Sequence, residues 1–393
     1  MKQLSKIMLA AVASVALAAP AFAWDFSASG SSSATFKQQT IAPASGDATT
    51  TANFSSSAGG VTVSSSNTDG ANSATFSYTA DSNGDDGNFD EYVSVSGSKK
   101  VGNWTASSAT TQYMQKDATA ATGAQSMTGG ASAVITLTDG SITYKLGNAA
   151  HLSTAEKTSG GPMDGTQDAE ASVDAFDGFS VGLGVGPGTL TVALEMGSTG
   201  SSKGAGDASY LGEGTGGGAA LTCGAQKTGF GLNFAGDIGA DLTFTYGSGS
   251  AAIGSYCADG AALWDNASSN TASYSVMGLG VAVPVGDMTI ALDYGTNVAL
   301  WTIDDAQAGA AKAGWEISLV MPVGDATAGV NLSSVASITT AGGVAGDAAV
   351  IGGTELWYTV PIGAVSLSAG YGSKAVVDGA TTTQIGAEMS LSF

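Results

Sequence analysis

The chain has 393 residues, 58 of them Gly and only 11% charged, and carries a formal net charge of −21. Such an acidic chain repels nucleic acid and attracts cations. A mean hydropathy of +0.18, with no stretch approaching the 18 apolar residues of a spanning helix, spreads the apolar residues thinly, as on alternate strand positions.

Met1 to Ala23 reads as a secretory leader. Lys2 and Lys6 form the charged start, Ile7 to Ala18 the apolar stretch, and Ala21-Phe22-Ala23 the cleavage site before Trp24. No Cys follows that site, so no lipoprotein anchor is expected. Residues 24–393 show no linker or shift of composition and are expected to form one domain. All 12 basic residues are Lys; with the leader removed, ten lysines face 33 acids.

Trp24 to Phe36 is expected to be the first strand. Residues 37–88 are polar and Ser/Thr-rich and read as a long first loop, although Phe54, Val61, Val63, Phe76 and Tyr78 hint at another hairpin. Within the acid-rich segment 81–91, Asp81, Asn83 and Asp85 place oxygen ligands at alternate positions, an arrangement that suits Ca²⁺. The EF-hand pattern fails because Asp86 stands where Gly is needed and Tyr92 where Glu is needed. A solvated acidic loop is the stronger reading there. Phe89–Gly97 and Gly102–Ala106 are expected to pair across Ser98–Val101. Ala133, Ile135 and Leu137 lead through Asp139-Gly140 to Ile142, Tyr144 and Leu146.

From residue 178 one design repeats: alternating apolar residues, a tight turn, then alternation again. The turns are Gly186-Pro187-Gly188, Gly236–Gly239, the Pro-Val-Gly-Asp runs at 284–287 and 322–325, and Pro361-Ile362-Gly363. Gly and Asp suit hairpin turns, and Pro at a strand end costs no ladder bond. Longer Gly/Ser/Ala/Asp segments separate the hairpins, roughly 148–177, 198–226, 249–272, 297–312 and 335–353. Tyr246, Tyr294 and Tyr371 each close a strand just before a Gly, as an aromatic girdle would. The last strand puts Ile385, Ala387, Met389, Leu391 and Phe393 on one face and Gly386, Glu388, Ser390 and Ser392 on the other. A secreted β-sandwich also alternates. The second face decides against it, because Gly278, Gly280, Thr289, Asp293, Glu316, Ser318, Ser366, Ser368 and Glu388 suit a wet interior.

Cys223 and Cys257 are the only cysteines. In an exported chain they either bridge two neighbouring loops or remain separate thiols. The one histidine, His151, has no evident nucleophile partner in the sequence. Gly178-Phe179-Ser180-Val181-Gly182 matches G-x-S-x-G but lies in an alternating strand, not on a strand-to-helix elbow, so no enzymatic activity is expected.

Tyr92–Trp104 and Thr136–Gly147 resemble the second and following hairpins of the general porins of Gram-negative bacteria, and the terminal Phe393 resembles the assembly signal of outer-membrane barrels. The resemblance implies a transmembrane antiparallel barrel of 16 strands, or 18 if residues 52–80 form a hairpin, with short periplasmic turns and long extracellular loops. It also implies a homotrimer in the outer membrane and an inward-folded constriction loop at 148–177. That loop would carry Glu156, Asp164, Asp168, Glu170, Asp174 and Asp177. General porins set such acids against arginines, and this chain has none, which leaves Lys145 as the best local counter-charge and Lys157 in the loop itself. The implied function is a passive channel for small hydrophilic solutes that prefers cations. The alternatives are a non-conducting or adhesive surface barrel and a substrate-selective channel.

Overall fold

A strand that is apolar on one face and polar on the other must find a sheet that sorts the two. The computed structural model of the chain describes residues 24–83, 88–115, 131–163, 166, 176–196, 225–253, 271–296, 313–341, 344–376 and 379–393. The leader therefore lies outside the described residues. Eighteen strands are present among them. They are β1 (Asp25–Ala42), β2 (Thr49–Asp69), β3 (Asn72–Asn83), β4 (Asn88–Val101), β5 (Trp104–Gln115), β6 (Ala131–Thr138), β7 (Ile142–Ala149), β8 (Phe176–Val185) and β9 (Gly188–Met196). There follow β10 (Ala225–Asp237), β11 (Asp241–Ile253), β12 (Thr271–Val285), β13 (Met288–Thr296), β14 (Ala313–Val323), β15 (Ala326–Ala341), β16 (Val344–Ile362), β17 (Val365–Val376) and β18 (Thr381–Ser392). Neighbours in sequence pair, and β1 also pairs with β18, so the hydrogen-bonded ladder closes on itself as an all-β antiparallel barrel.

The count is 18 and not 16, because residues 37–88 are not a long loop. Residues 49–69 and 72–83 pair as β2 and β3, from Val61↔Ala80 to Asp69↔Asn72. Their alternation is shallow: Ser and Thr occupy both faces of β2, and Phe54, Val61 and Val63 are its only large apolar residues, so the periodic signal that marks the later strands is muted. Two boundaries also move. The turn expected at Ser98–Val101 is strand, with Val101↔Trp104 closing a two-residue turn at Gly102-Asn103. The loop expected at 335–353 is largely the long hairpin of β15 and β16, which pair out to Ala341↔Val344. The Val-Gly-Asp turns are two-residue loops, Val285↔Met288 and Val323↔Ala326. Gly286 and Gly324 there take φ of 63° and 65°, the left-handed region that glycine enters without strain.

The chain divides into two compact units. The first holds β3 to β6, β2 from Ser56, β1 up to Ala34, and Ser390–Phe393; the second holds Thr35–Ser55 and Gly140–Met389. In the first unit, Gly30 and Phe393 exchange both backbone hydrogen bonds, at 2.9 and 3.0 Å. The Phe393 ring lies over Gly30, where a Cβ would sit 2.6 Å from Cζ. In the second unit, Thr35 Oγ1 donates to Glu388 Oε2 at 3.0 Å, joining the same two strands.

The sorting is inverted relative to a soluble core. Asp293, Asn331, Thr245, Glu355 and Ser318 are each 0–1% exposed, while Ile290, Leu332, Phe230, Leu356 and Ile317 are 39–47% exposed. Tyr246, Tyr294 and Tyr371 share the exposed apolar face. A sandwich would bury Leu279, Ile290 and Leu319 against one another; here the buried side carries carboxylates and amides.

Gly30→Val should force the Phe393 ring off the first strand and cost about 1–3 kcal/mol as an overpacking change. The urea midpoint of the detergent-refolded variant should fall. An unchanged midpoint would place the ring elsewhere.

Candidate functional site

A peptide segment inside a polar barrel needs partners for its amides, and an inward carboxylate needs donors. The second unit satisfies both needs with one segment. Residues 150–163, which follow β7, run as a strap along the polar face of the wall.

The strap begins at His151, 3% exposed. Its Nε2 lies 2.9 Å from the Gly147 carbonyl and must donate to it; Nδ1, 3.0 Å from Ser180 Oγ, therefore accepts from the hydroxyl. The ring lies against Phe176, with centroids 4.7 Å apart. Burial lowers the His151 pKa below its ordinary 6.5, with Lys145 adding to the effect and the Gly147 carbonyl opposing it. Ser180 is the serine of the G-x-S-x-G match, so the fold does supply the histidine partner that the sequence left unseen. At 2% exposure its hydroxyl is closed to an electrophile, and no carboxylate orients the ring, so the pair serves as a clasp.

Leu152 covers Gly231 on β10. The Ser153 carbonyl accepts from Thr245 Oγ1 at 2.6 Å and from Asn233 Nδ2 at 3.4 Å. Asp293 of β13, 0% exposed, then takes the Lys157 amide on both oxygens at 2.8 and 3.0 Å, and the Thr158 amide and hydroxyl at 2.8 and 2.6 Å. Ser318 accepts the Ser159 amide at 3.3 Å, and Asn331 Nδ2 donates to the Ser159 carbonyl. Glu355 of β16, 1% exposed, closes the strap by accepting the Gly161 amide at 3.1 Å and the Met163 amide at 2.8 Å. Hydrogen bonds to charged acceptors contribute about 1.5–3 kcal/mol each, which is how a Gly- and Ser-rich segment without secondary structure holds one position.

Trp357 points to the same face. Its cross-strand neighbours are Gly329 and Gly370, and its ring lies against both Gly329 and Gly161 of the strap; its Nε1 donates to Asn331 Oδ1 at 3.4 Å. A side chain at Gly161 would meet the indole. Met163, fully buried, ends the strap beside Gly370 and Gly386.

The expected constriction residues divide. Glu156 is exposed on the strap. Lys145 lies on the Ser180 face, opposite Ser180 in register, with Nζ 3.5 Å from the Ala150 carbonyl. Asp177 is part of β8, on the face of Phe179, and its Oδ1 accepts from Asn148 at 3.2 Å. Asp164, Asp168, Glu170 and Asp174 lie outside the described residues, as do Cys223, Cys257 and Asp85 and the side chains of Asp81 and Asn83. Lys157, expected as a loop charge, ion-pairs Asp241 at 2.9 Å. Among the described residues no group of three or more His, Cys, Asp or Glu could hold a metal ion.

The sequence places Asp293 and Glu316 on the wet face but does not mark Asp293 as an anchor, and Glu355 goes unmarked altogether. The available signal was register: Asp293 lies directly opposite Glu316, and Asn331 opposite Glu355. Polar groups at one height on consecutive strands mark something docked there.

No family model matches the chain, and no curated protein matches it. Among the solved structures to which it is similar are porins. A mutant of the Rh. blastica porin is 14% identical, covering 94% of this chain and 100% of that one, with a TM-score of 0.44. The anion-selective porin from Comamonas acidovorans gives the same identity, coverage and TM-score.

Asp293→Asn should raise amide exchange at Lys157 and Thr158 at least about tenfold, the equivalent of one lost charged hydrogen bond, and leave β10 unaffected. Exchange measured by mass spectrometry that does not change would remove Asp293 as an anchor. The clasp also has a pH sign. A pKa lowered in the fold favours the neutral ring, so the contribution is present above the ordinary value of 6.5 and is lost as pH falls through the lowered one. From about pH 7 to about pH 5 the wild type should lose more stability than His151→Gln. Parallel curves would contradict the clasp.

Proposed function

We propose that the chain is a passive diffusion channel of porin type in the outer membrane of a Gram-negative bacterium, passing small hydrophilic solutes with a preference for cations. The observation that carries this reading is the inverted sorting. Carboxylates, amides and hydroxyls face inward, large apolar side chains face outward, and a strap is held against part of the inner wall. A closed sheet of this many strands is wide enough to leave a hydrated path. The outward apolar band meets the demand of lipid.

The cation preference is supported by charge. Ten lysines stand against 33 acids after the leader, Lys157 is engaged by Asp241, and Glu156 is left exposed on the strap. Asp164, Asp168, Glu170 and Asp174 continue the same segment and would add to the negative potential. A trimer, which the family resemblance implies, is supported by β5, whose face turned away from Thr105 and Ser107 carries Ala106, Ser108 and Thr110. These side chains suit a protein contact better than lipid. No step of transport uses a cofactor, and the clasped Ser180 and His151 give no ground for catalysis.

Purified protein in planar bilayers should give stable conductance steps with a reversal potential favouring K⁺ over Cl⁻. Replacing Asp164, Asp168, Glu170 and Asp174 together by Asn should move the permeability ratio toward one. Silence in the bilayer would favour the adhesive barrel instead, and an unchanged ratio would take these four acids out of the selectivity.

A further inference from the structure

Residues 150–163 carry one acid and one lysine, the neighbours Glu156 and Lys157, and the wall treats them differently. Glu156 is exposed. The Lys157 amide is held by Asp293 at 2.8 and 3.0 Å, so its backbone is fixed independently of its side chain. From there the stem runs over Gly280 of β12, where a Cβ would sit 2.9 Å from Lys157 Cγ. The ammonium ends at Asp241, 2.9 Å from each carboxylate oxygen. The Lys157 side chain is only 18% exposed, against 57% for Asp241. Asp241 opens β11 just after the tight turn and lies opposite Asp237 in register. Like charges directly opposite on one face repel, and Asp237 Oδ1 is already engaged by the Gly239 amide at 2.9 Å. A cation at Asp241 relieves that repulsion, and Lys157 supplies it. Exposed ion pairs are usually weak, because ordering two long side chains offsets the attraction. Here the backbone is held by Asp293 and the stem is seated on a glycine, so less freedom remains to be lost.

We propose that Asp241 is a specificity-determining residue of the channel. By holding Lys157 against the wall, it takes the strap's positive charge off the hydrated path and leaves Glu156 as the charge that a solute meets. The inference rests on the channel reading and deepens it. With a free lysine directly after Glu156, this stretch would present two opposite charges that offset each other. The wall residue breaks that balance: the ammonium is neutralised by Asp241, and the Glu156 carboxylate is left to attract cations. Asp241 thus acts on selectivity from outside the strap, through the side chain it restrains.

Reversal potentials under a KCl gradient test this by comparing Asp241→Asn with Asp237→Asn. Each removes one carboxylate from the same height of the same wall, and asparagine keeps an oxygen for the Gly239 amide. Only Asp241→Asn frees Lys157. It should lower the K⁺-to-Cl⁻ permeability ratio about twofold more than Asp237→Asn does, the scale of one charge beside a hydrated path. Adding Lys157→Gln to it should restore the wild-type ratio. Equal effects of the two single variants, or no restoration, would overturn the assignment. The tether has a readout of its own: acetylation of the Lys157 amine, followed by mass spectrometry, should be at least about threefold faster in Asp241→Asn than in the wild type. Equal rates would overturn it. If Asp241→Asn does not assemble, the wild type decides. Lys157 should then be acetylated at least about threefold more slowly than the exposed Lys100, and equal rates would again overturn the tether. A wild type that conducts, with both single variants alike, sinks the assignment and spares the channel. One that does not conduct sinks both.

Discussion

The second unit depends on an exchange between wall carboxylates and peptide amides. Asp293 and Glu355 are buried to 0–1% exposure at positions where an unpaired charge would be costly. The strap at 150–163 has amides that, inside a barrel and away from bulk water, would be orphaned. Each group supplies what the other lacks. Because the grip falls on backbone amides at 157, 158, 161 and 163, it constrains the path of the segment more than its side chains. That leaves Glu156, just ahead of the first gripped amide, turned to solvent.

The wall of the second unit carries charge and is partly covered by the strap. The wall of β3 to β6 in the first unit is rich in hydroxyls, several of them bonded to one another across strands, as Ser94 is to Thr111 at 2.8 Å, with Lys100 on the same face opposite Thr105.

How much of this was legible in the sequence follows from where the alternation is steep. Strands such as β13, with Ile290, Leu292 and Tyr294 against Ala291 and Asp293, announce both their period and their sidedness. The later turns are legible too, because Val-Gly-Asp allows few alternatives. β2 and β3 were hidden because Ser and Thr suit both faces of a strand and a loop equally well, which is why residues 37–88 read as a loop. Residues 148–177 read as a loop, but the anchors that hold its first part, 150–163, were not legible. They depend on how β13 to β16 line up, with Asp293 in one row beside Glu316 and Glu355 in the next beside Asn331, and this is fixed by pairing register, a quantity that no single strand carries. The His151–Ser180 clasp was hidden for a similar reason, since 29 residues separate two groups that β7 and β8 bring together.

The central claim is one of sidedness, and tryptophan reports it most directly. Trp315 lies on the outer face, 39% exposed and opposite Tyr294, while Trp357 points inward beside Gly329 and the strap. In variants that keep a single tryptophan, reconstituted in bilayers with brominated acyl chains, the fluorescence of Trp315 should be strongly quenched by the lipid and that of Trp357 spared. Strong lipid quenching of Trp357 with Trp315 untouched would mean that the polar face meets the bilayer, and the account would fail.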